Sequence, residues 1–258
     1  VHRFAIDPER IDGPMVTFDR AETRHLARVL RLGPGDVVMA TDGLGNEYTV
    51  RIETVGAAAT GTVIDVTPRR TESPVAVTLV QGIAKGDKME AIIRAATELG
   101  VTRIVPARTV RTVINLEADG WRERTRRWQR VGREAAKQCG RTVVPEVTEP
   151  LPWSNALQEA AANPLRICLW EGECRPLGEI LQREPGGPAA VAVAIGPEGG
   201  LSTEEVEGAR SLNWAVASLG PRILRTETAS LAVIAIIEAA LGDLLGGHAL
   251  SHRGDTSL

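Results

Sequence analysis

Cysteine and histidine are scarce in this chain, with three of the former and four of the latter among 258 residues. Cys139, Cys168 and Cys174 are odd in number and no pair has C-x-x-C spacing. Neither a disulfide framework nor a zinc site is expected, and the thiols read as free and buried or half-buried. His2, His25, His248 and His252 are scattered, which excludes a histidine metal cluster from the expectations. No apolar run is long enough to cross a membrane, because the longest candidate is interrupted by Glu238 and Asp243. The opening "VHRFAIDPER" has no apolar leader core, so a cytoplasmic location is expected. No G-x-G-x-x-G follows a strand, which disfavours a nucleotide-dependent oxidoreductase, and no internal repeat is present.

What is present suits an ordinary globular protein: 43% hydrophobic and 24% charged residues, enough for one large domain or two unequal ones. The net charge of −3 conceals an asymmetry. Between Trp121 and Arg141 stand eight Lys or Arg against Glu123 and Glu134, whereas Glu146 to Glu207 holds eleven acids against three arginines. The basic stretch is either a solvated amphipathic helix or a helix facing RNA.

The first seventy residues read as a small β-rich unit with one helix. Asp19 can cap that helix, Leu26, Val29 and Leu30 recur at helical spacing, and "GPGD" at Gly33–Asp36 ends it. "VVMATDGLGNEYTVRIETV" gives strand, turn, strand, and "ATGTVIDV" a further strand. A polar, proline-bounded linker, Pro68 to Pro74, follows. Beyond it strands and helices alternate: "VAVTLVQGI", a helix over Lys88–Leu99 with Met89, Ile92, Ile93, Ala96 and Leu99 on one face, "TRIVPA", the basic helix with Trp121, Trp128, Val131 and Ala135 inward, then "LRICLW", "AAVAVAI" and "WAVASLG". Such alternation predicts a mostly parallel sheet covered on both faces. The helix "TASLAVIAIIEAALGDLL" is apolar nearly all round and is either a central core helix, a subunit interface, or both. A tail after Leu245 is expected to be disordered.

Two stretches carry the chemistry. In "AVAIGPEGGLSTEEVE" a strand breaks at Gly-Pro-Glu-Gly-Gly and a helix restarts with the capping-box pattern Ser202-x-x-Glu205. The cap occupies the helix amides, the loop lacks a lysine, and Glu198, Glu204, Glu205 and Glu207 would repel a polyphosphate, so a cofactor without phosphates and with a positive charge fits better. S-adenosylmethionine has those properties. In "SLGPRILRTETA" a second strand ends in a loop that leads into the apolar helix. Two such loops at strand ends suggest two walls of one pocket, with Arg222 and Arg225 beside it able to meet a nucleic-acid phosphate or base, or to pair with glutamates such as Glu227.

Four ordered motifs, "GIAKGDKMEAIIRAATELGV", "RRWQRVGREAAKQCGR", "IGPEGGLS" and "LGPRILRTETA", with "RHLARVLRLGPGD" near the start, resemble the ribosomal small-subunit uridine-N3 methyltransferases, the RsmE family of the SPOUT superfamily. The resemblance covers almost the whole chain. It implies an α/β fold: a PUA-like β-barrel over residues 1–70, then a SPOUT methyltransferase domain over 75–245 whose end is threaded into a trefoil knot. It also implies a homodimer, S-adenosyl-L-methionine as cofactor, and 16S rRNA of the small ribosomal subunit as partner, with no membrane and no metal. Carried over by position, the cofactor wall is Leu169, Glu171, Ile195, Gly196, Gly199, Gly200, Ser218, Leu219, Gly220, Leu224, Thr226 and Ala229. Arg225 is the candidate for orienting or stabilising the target base and Glu227 the candidate proton acceptor. RNA grip is assigned to His25, Arg28, Arg31, Lys85, Lys88, Arg133, Arg141 and Arg222. Methylation of another RNA, such as transfer-RNA ribose 2′-O, and a non-catalytic ribosome-assembly factor are the alternatives.

Overall fold

The structure is a computed structural model that describes residues 2–68, 71–114, 116–173, 175–181 and 189–245. Cys174 and the tail after Leu245 lie outside the described residues. The first sheet has six strands in the order β1-β4-β5-β6-β3-β2: β1 (Arg3–Ala5), β2 (Ile11–Asp12), β3 (Met15–Thr17), β4 (Val37–Thr41), β5 (Asn46–Val55) and β6 (Ala59–Pro68). The turn between β4 and β5 needs backbone with positive φ, which Gly43 (φ 74) and Gly45 (φ 115) supply. Register shifts in the β5–β6 pair bend it around a core of Phe4, Phe18, Leu26, Val38, Val50 and Ile52.

The single helix expected after Asp19 is in fact two pieces. Asp19 does cap α1 (Arg20–Arg24), its carboxylate accepting from the Glu22 N–H at 2.7 Å. His25–Val29 then winds as a π-helix. The wider π turn moves later side chains out of the 3.6-residue phase. Leu26 is therefore buried while Val29 points to solvent, 67% exposed. Arg31, at φ 56, closes the segment.

The second sheet is parallel throughout, in the order β10-β8-β7-β12-β11-β13, with β9 added beside β8. Its strands are β7 (Ala76–Gly82), β8 (Arg103–Arg108), β9 (Glu146–Val147), β10 (Leu151–Pro152), β11 (Leu165–Leu169), β12 (Ala190–Ile195) and β13 (Ala215–Ala217). Its helices are α2 (Lys88–Glu98), α3 (Ala118–Cys139), α4 (Trp153–Glu159), α5 (Leu177–Leu181), α6 (Thr203–Ser211) and α7 (Thr226–Leu241). Alternation along each strand divides two cores. Val77, Leu79, Val191 and Val193 face α2, α3 and α7, while Val80, Ala192 and Ala194 face α4 and α6. α2 buries Met89, Ile92, Ile93 and Ala96 as expected, and α3 buries Trp121, Trp128 and Ala135 with Val131 half-buried.

β7 and β12 are neighbours whose connections leave in opposite directions, β7 through α2 to β8 and β12 through α6 to β13. In an open α/β sheet the crevice beyond the carboxyl ends of such strands receives ligands. The Gly196–Gly200 loop lies there, and α7 returns beneath it to pack on α2 and β12. α7 buries Val233, Ile234 and Ile237 but leaves Ile236 41% exposed, so it is not wholly a core helix. Of the cysteines, Cys168 is buried and burial pushes its thiol up to about 12. Cys139 is exposed, contrary to expectation, because it falls in the last turn of α3 away from the sheet. Among the described residues no helix is long and apolar enough to cross a membrane.

Candidate active site

Two glycine-punctuated loops, after β12 and after β13, line one cleft of about 790 Å³. All twelve residues expected to form the cofactor wall line it, together with Lys88, Arg222 and Arg225. The loop after β12 turns tightly, with Gly200 N–H donating to Pro197 O at 2.9 Å and Gly200 at φ 73. The capping box is complete: Ser202 Oγ accepts from Glu205 N–H at 3.2 Å, and Glu205 Oε2 accepts from Ser202 N–H at 2.9 Å. The α6 terminus is thus closed to a phosphate. Glu205 Oε1 also accepts from Val110 N–H at 2.8 Å, and Arg111 Nη1 donates to Gly199 O at 2.5 Å, so the segment after β8 clasps this loop from outside.

A buried polar chain joins the two loops. Thr226 Oγ1 donates to Gly196 O at 2.7 Å and accepts from Gln81 Nε2 at 3.0 Å, while Ser230 Oγ donates to Gln81 Oε1 at 2.6 Å. Gln81 and Ser230 are fully buried, where unmet polar groups are costly, so the chain fixes the start of α7 against the end of β12. Close approach fixes it further: a Cβ on Gly82 would stand 2.5 Å from Pro197 N and 2.7 Å from Gly196 C. The other wall is open. No backbone N–H from Leu219 to Arg225 has a partner among the described residues, and Gly220 takes φ 99. Main-chain donors left free along an apolar cleft are what a flat heterocycle needs, since a base edge can pair with backbone where no side chain intervenes.

Charge is gathered at the rim. Lys88 Nζ stands 3.4 Å from Glu198 Oε1 and 3.4 Å from Glu227 Oε2, and Glu198 Oε1 also accepts from Lys85 N–H at 3.0 Å. Burial would raise the Glu198 carboxyl, but backbone N–H groups and the Lys88 ammonium outweigh it and hold the group below its ordinary range. Glu227 does not line the cleft. Its Oε2 is buried without a hydrogen bond and leans on Lys88. Arg222 and Arg225 are exposed, with no ion pair among the described residues.

The residues expected to grip RNA are dispersed. Arg28, Arg31 and Lys85 are exposed, and His25 is half-buried against Phe4 at 5.8 Å between centroids. Lys88 is committed to the two carboxylates. Arg133 is bound to Asp7 at 2.6 Å. Arg141 is corrected outright: only 5% exposed, it donates to Glu72 Oε2 at 2.5 Å, Thr97 O at 2.8 Å and Val101 O at 2.7 Å, which leaves nothing for RNA. Sequence reading missed Gln81, Arg111 and Ser230, and took Glu198 only as a charge that would repel a polyphosphate. Those three had no local signal.

The RNA methyltransferase domain family matches residues 71–238, and the RNA methyltransferase PUA domain family matches residues 18–58. The chain is 34% identical over 242 residues to the ribosomal RNA small subunit methyltransferase E of Synechocystis sp. (strain ATCC 27184 / PCC 6803 / Kazusa), covering 93% of this chain and 78% of that one. It is 31% identical to the protein of the same name from Bacillus subtilis (strain 168), covering 88% of this chain and 90% of that one. The crystal structure of a ribosomal RNA small subunit methyltransferase E from Neisseria gonorrhoeae, bound to S-adenosyl methionine, is 33% identical and superposes with a TM-score of 0.85 over 94% of this chain and 99% of that one. Matched by the family model over most of its length and more than 30% identical to these relatives across nearly all of it, the chain belongs to the ribosomal RNA small subunit methyltransferase E family.

Proposed function

We propose that this protein methylates N3 of a uridine in 16S rRNA of the small ribosomal subunit, using S-adenosylmethionine. The observation that carries the reading is the convergence of both glycine loops on one cleft with a free row of main-chain donors along Leu219–Arg225. The residues fit that cofactor: small glycines admit a heterocycle, Leu169, Ile195, Leu219 and Leu224 cover its faces, and Glu171 offers a carboxylate within the cleft. When bound, the cofactor supplies a methyl group on a cationic sulfur. N3 lies on the pairing edge of uracil, so the target base is presented unpaired or flipped. Its N–H proton must leave before the lone pair can attack. Arg225 puts an exposed cation at the cleft, which favours the uridine anion by direct electrostatic stabilisation, whereas the Lys88 charge is matched by Glu198 and Glu227. Glu198 is a weak base there and Glu227 serves to hold Lys88, so the N3 proton passes to water while Arg225 stabilises the anion left behind.

We assign α7, whose start is held against the Gly196–Gly200 loop, the threaded path of a trefoil knot. A second copy covers the outer face of α7, where Leu231, Ala235 and Ala239 are half-buried and Ile236 is exposed. The join at Pro68–Pro74 divides an RNA-gripping unit from the methyltransferase unit, and the protein works in the cytoplasm on ribosomal subunits. Incubation with labelled S-adenosylmethionine and unmodified small subunits, followed by nucleoside mass spectrometry, should yield 3-methyluridine. A 2′-O-methyl nucleoside, or label only in transfer RNA, would establish the other target; RNA binding without label would leave an assembly factor.

A further inference from the structure

A second cleft, of about 460 Å³, lies between the two sheets, lined on one side by α3 and on the other by Asp7, Pro8 and the Asp42–Leu44 turn. α3 presents Arg126, Arg130, Arg133 and Lys137 to it, positions that share one helical face. The partners of the basic segment decide what this cleft can do. Arg122 pairs with Asp119, Arg127 with Glu90 and Arg133 with Asp7. Lys137 pairs with Glu22 and Glu134, Arg141 with Glu72, and Arg124 lies over the Trp128 ring. Of the eight cations from Arg122 to Arg141, only Arg126 and Arg130 have no carboxylate or ring partner among the described residues, and both line this cleft.

We propose that the cleft between the two sheets is a binding track for the phosphodiester backbone of the substrate RNA, with Arg126 and Arg130 as its phosphate ligands. The proposal rests on the RNA methyltransferase reading and names where the strand runs outside the methyl-transfer cleft. The two guanidiniums are one turn apart, roughly 6 Å along the helix axis, so each can hold a separate phosphate. The carboxylates opposite do not oppose an anion. Asp42 is saturated by the N–H groups of Leu44 and Asn46, the Asn46 amide and the Tyr48 hydroxyl, and Asp7 is neutralised by Arg133. Leu44, 71% exposed on the same wall, offers apolar surface to a ribose or base.

The test compares R126A/R130A with the wild type and with R122A/R127A, a pair from the same helix whose charges are already matched. Association with transcribed 16S rRNA is followed across salt concentration, methyl transfer to unmodified small subunits gives kcat and KM, and calorimetry gives affinity for S-adenosylmethionine. For R126A/R130A the expected result is a KM raised about tenfold and a salt slope shallower by about 1.4, the loss of two single-strand phosphate contacts. Its kcat, cofactor affinity and melting temperature stay at wild-type values, and R122A/R127A stays within about twofold throughout. Unchanged RNA affinity and salt slope in R126A/R130A, or an equal loss in R122A/R127A, would overturn the track. If wild type binds RNA with the expected slope difference yet transfers no methyl, the track stands and the methylation reading falls.

Discussion

Single atoms decide whether the two loops can meet. The Gly82 Cα faces backbone, not a side chain that could swing aside, since a Cβ there would stand 2.5 Å from Pro197 N. Gly82→Ala should therefore displace the Gly196–Gly200 loop, at an overpacking cost of about 1–3 kcal/mol. Thermal unfolding should show a melting point lowered by several degrees, and calorimetry a weaker affinity for S-adenosylmethionine. Wild-type affinity in a destabilised variant would uncouple that glycine from the cleft. Arg225 poses the opposite case, being exposed and without an ion pair among the described residues, so its removal disturbs no packing. Arg225→Ala should keep the melting point and cofactor affinity while methyl transfer falls by at least about 10²-fold, the scale of losing one charge stabiliser. Activity equal to wild type would remove the role. Both residues were visible in the sequence as members of motifs. The long-range polar contacts around them were not, because Gln81 meets Ser230 across 149 residues and Arg141 meets Glu72 across 69.

Elements were legible wherever their signal was local. The eight strands read from the sequence, the α2 face and the α6 capping box follow from periodicity and from a four-residue pattern and form where the spacing put them, whereas β1, β2, β3, β9 and β10 are too short to carry such a signal. The π turn at His25–Val29 has no such signature: with it Leu26 is buried in the first core and Val29 is turned outward. α3 was legible as an amphipathic helix, but not as one whose charges are mostly spent within the protein, since Glu90, Asp7 and Glu22 arrive from other elements. For α7 periodicity was uninformative, because an apolar residue stands at nearly every position. Its two faces differ only in what covers them. Burying the Ile236 face in a second copy predicts that Ile236→Asp yields monomers with the same far-ultraviolet circular dichroism, because a charge on that face is unpaired in a dimer and solvated in a monomer. Sedimentation should give half the wild-type mass, and a variant that still dimerises would place the interface elsewhere.

Across the whole molecule, the two units are tied by buried or half-buried charges more than by a shared apolar core. Lys137 reaches Glu22 at 2.7 Å, and Arg133 reaches Asp7. Glu72 and Ser73, within the linker, hold Arg141 and Glu238 respectively. Glu238, in the last turn of α7, is fully buried, with Ser73 Oγ donating to its Oε2 at 2.6 Å and its Oε1 unbonded. Burial, the largest cause, raises its carboxyl above the ordinary range. The Asp243 charge adds to this, while Ser73 and the Arg141 guanidinium pull the other way without cancelling it. A carboxyl raised on folding binds its proton more tightly in the folded state than in the unfolded chain. Its contribution to stability is therefore complete below the ordinary carboxylate range and is lost as pH rises through the raised folded value. Glu238→Gln keeps an acceptor for Ser73 and never ionises, so it escapes that loss. The melting point of the variant relative to wild type should climb as pH rises from about 4 to about 8, the direction linkage requires. Thermal unfolding of both proteins at constant ionic strength measures the difference, and one that stays flat or falls with pH would show that Glu238 folds with its charge already stabilised.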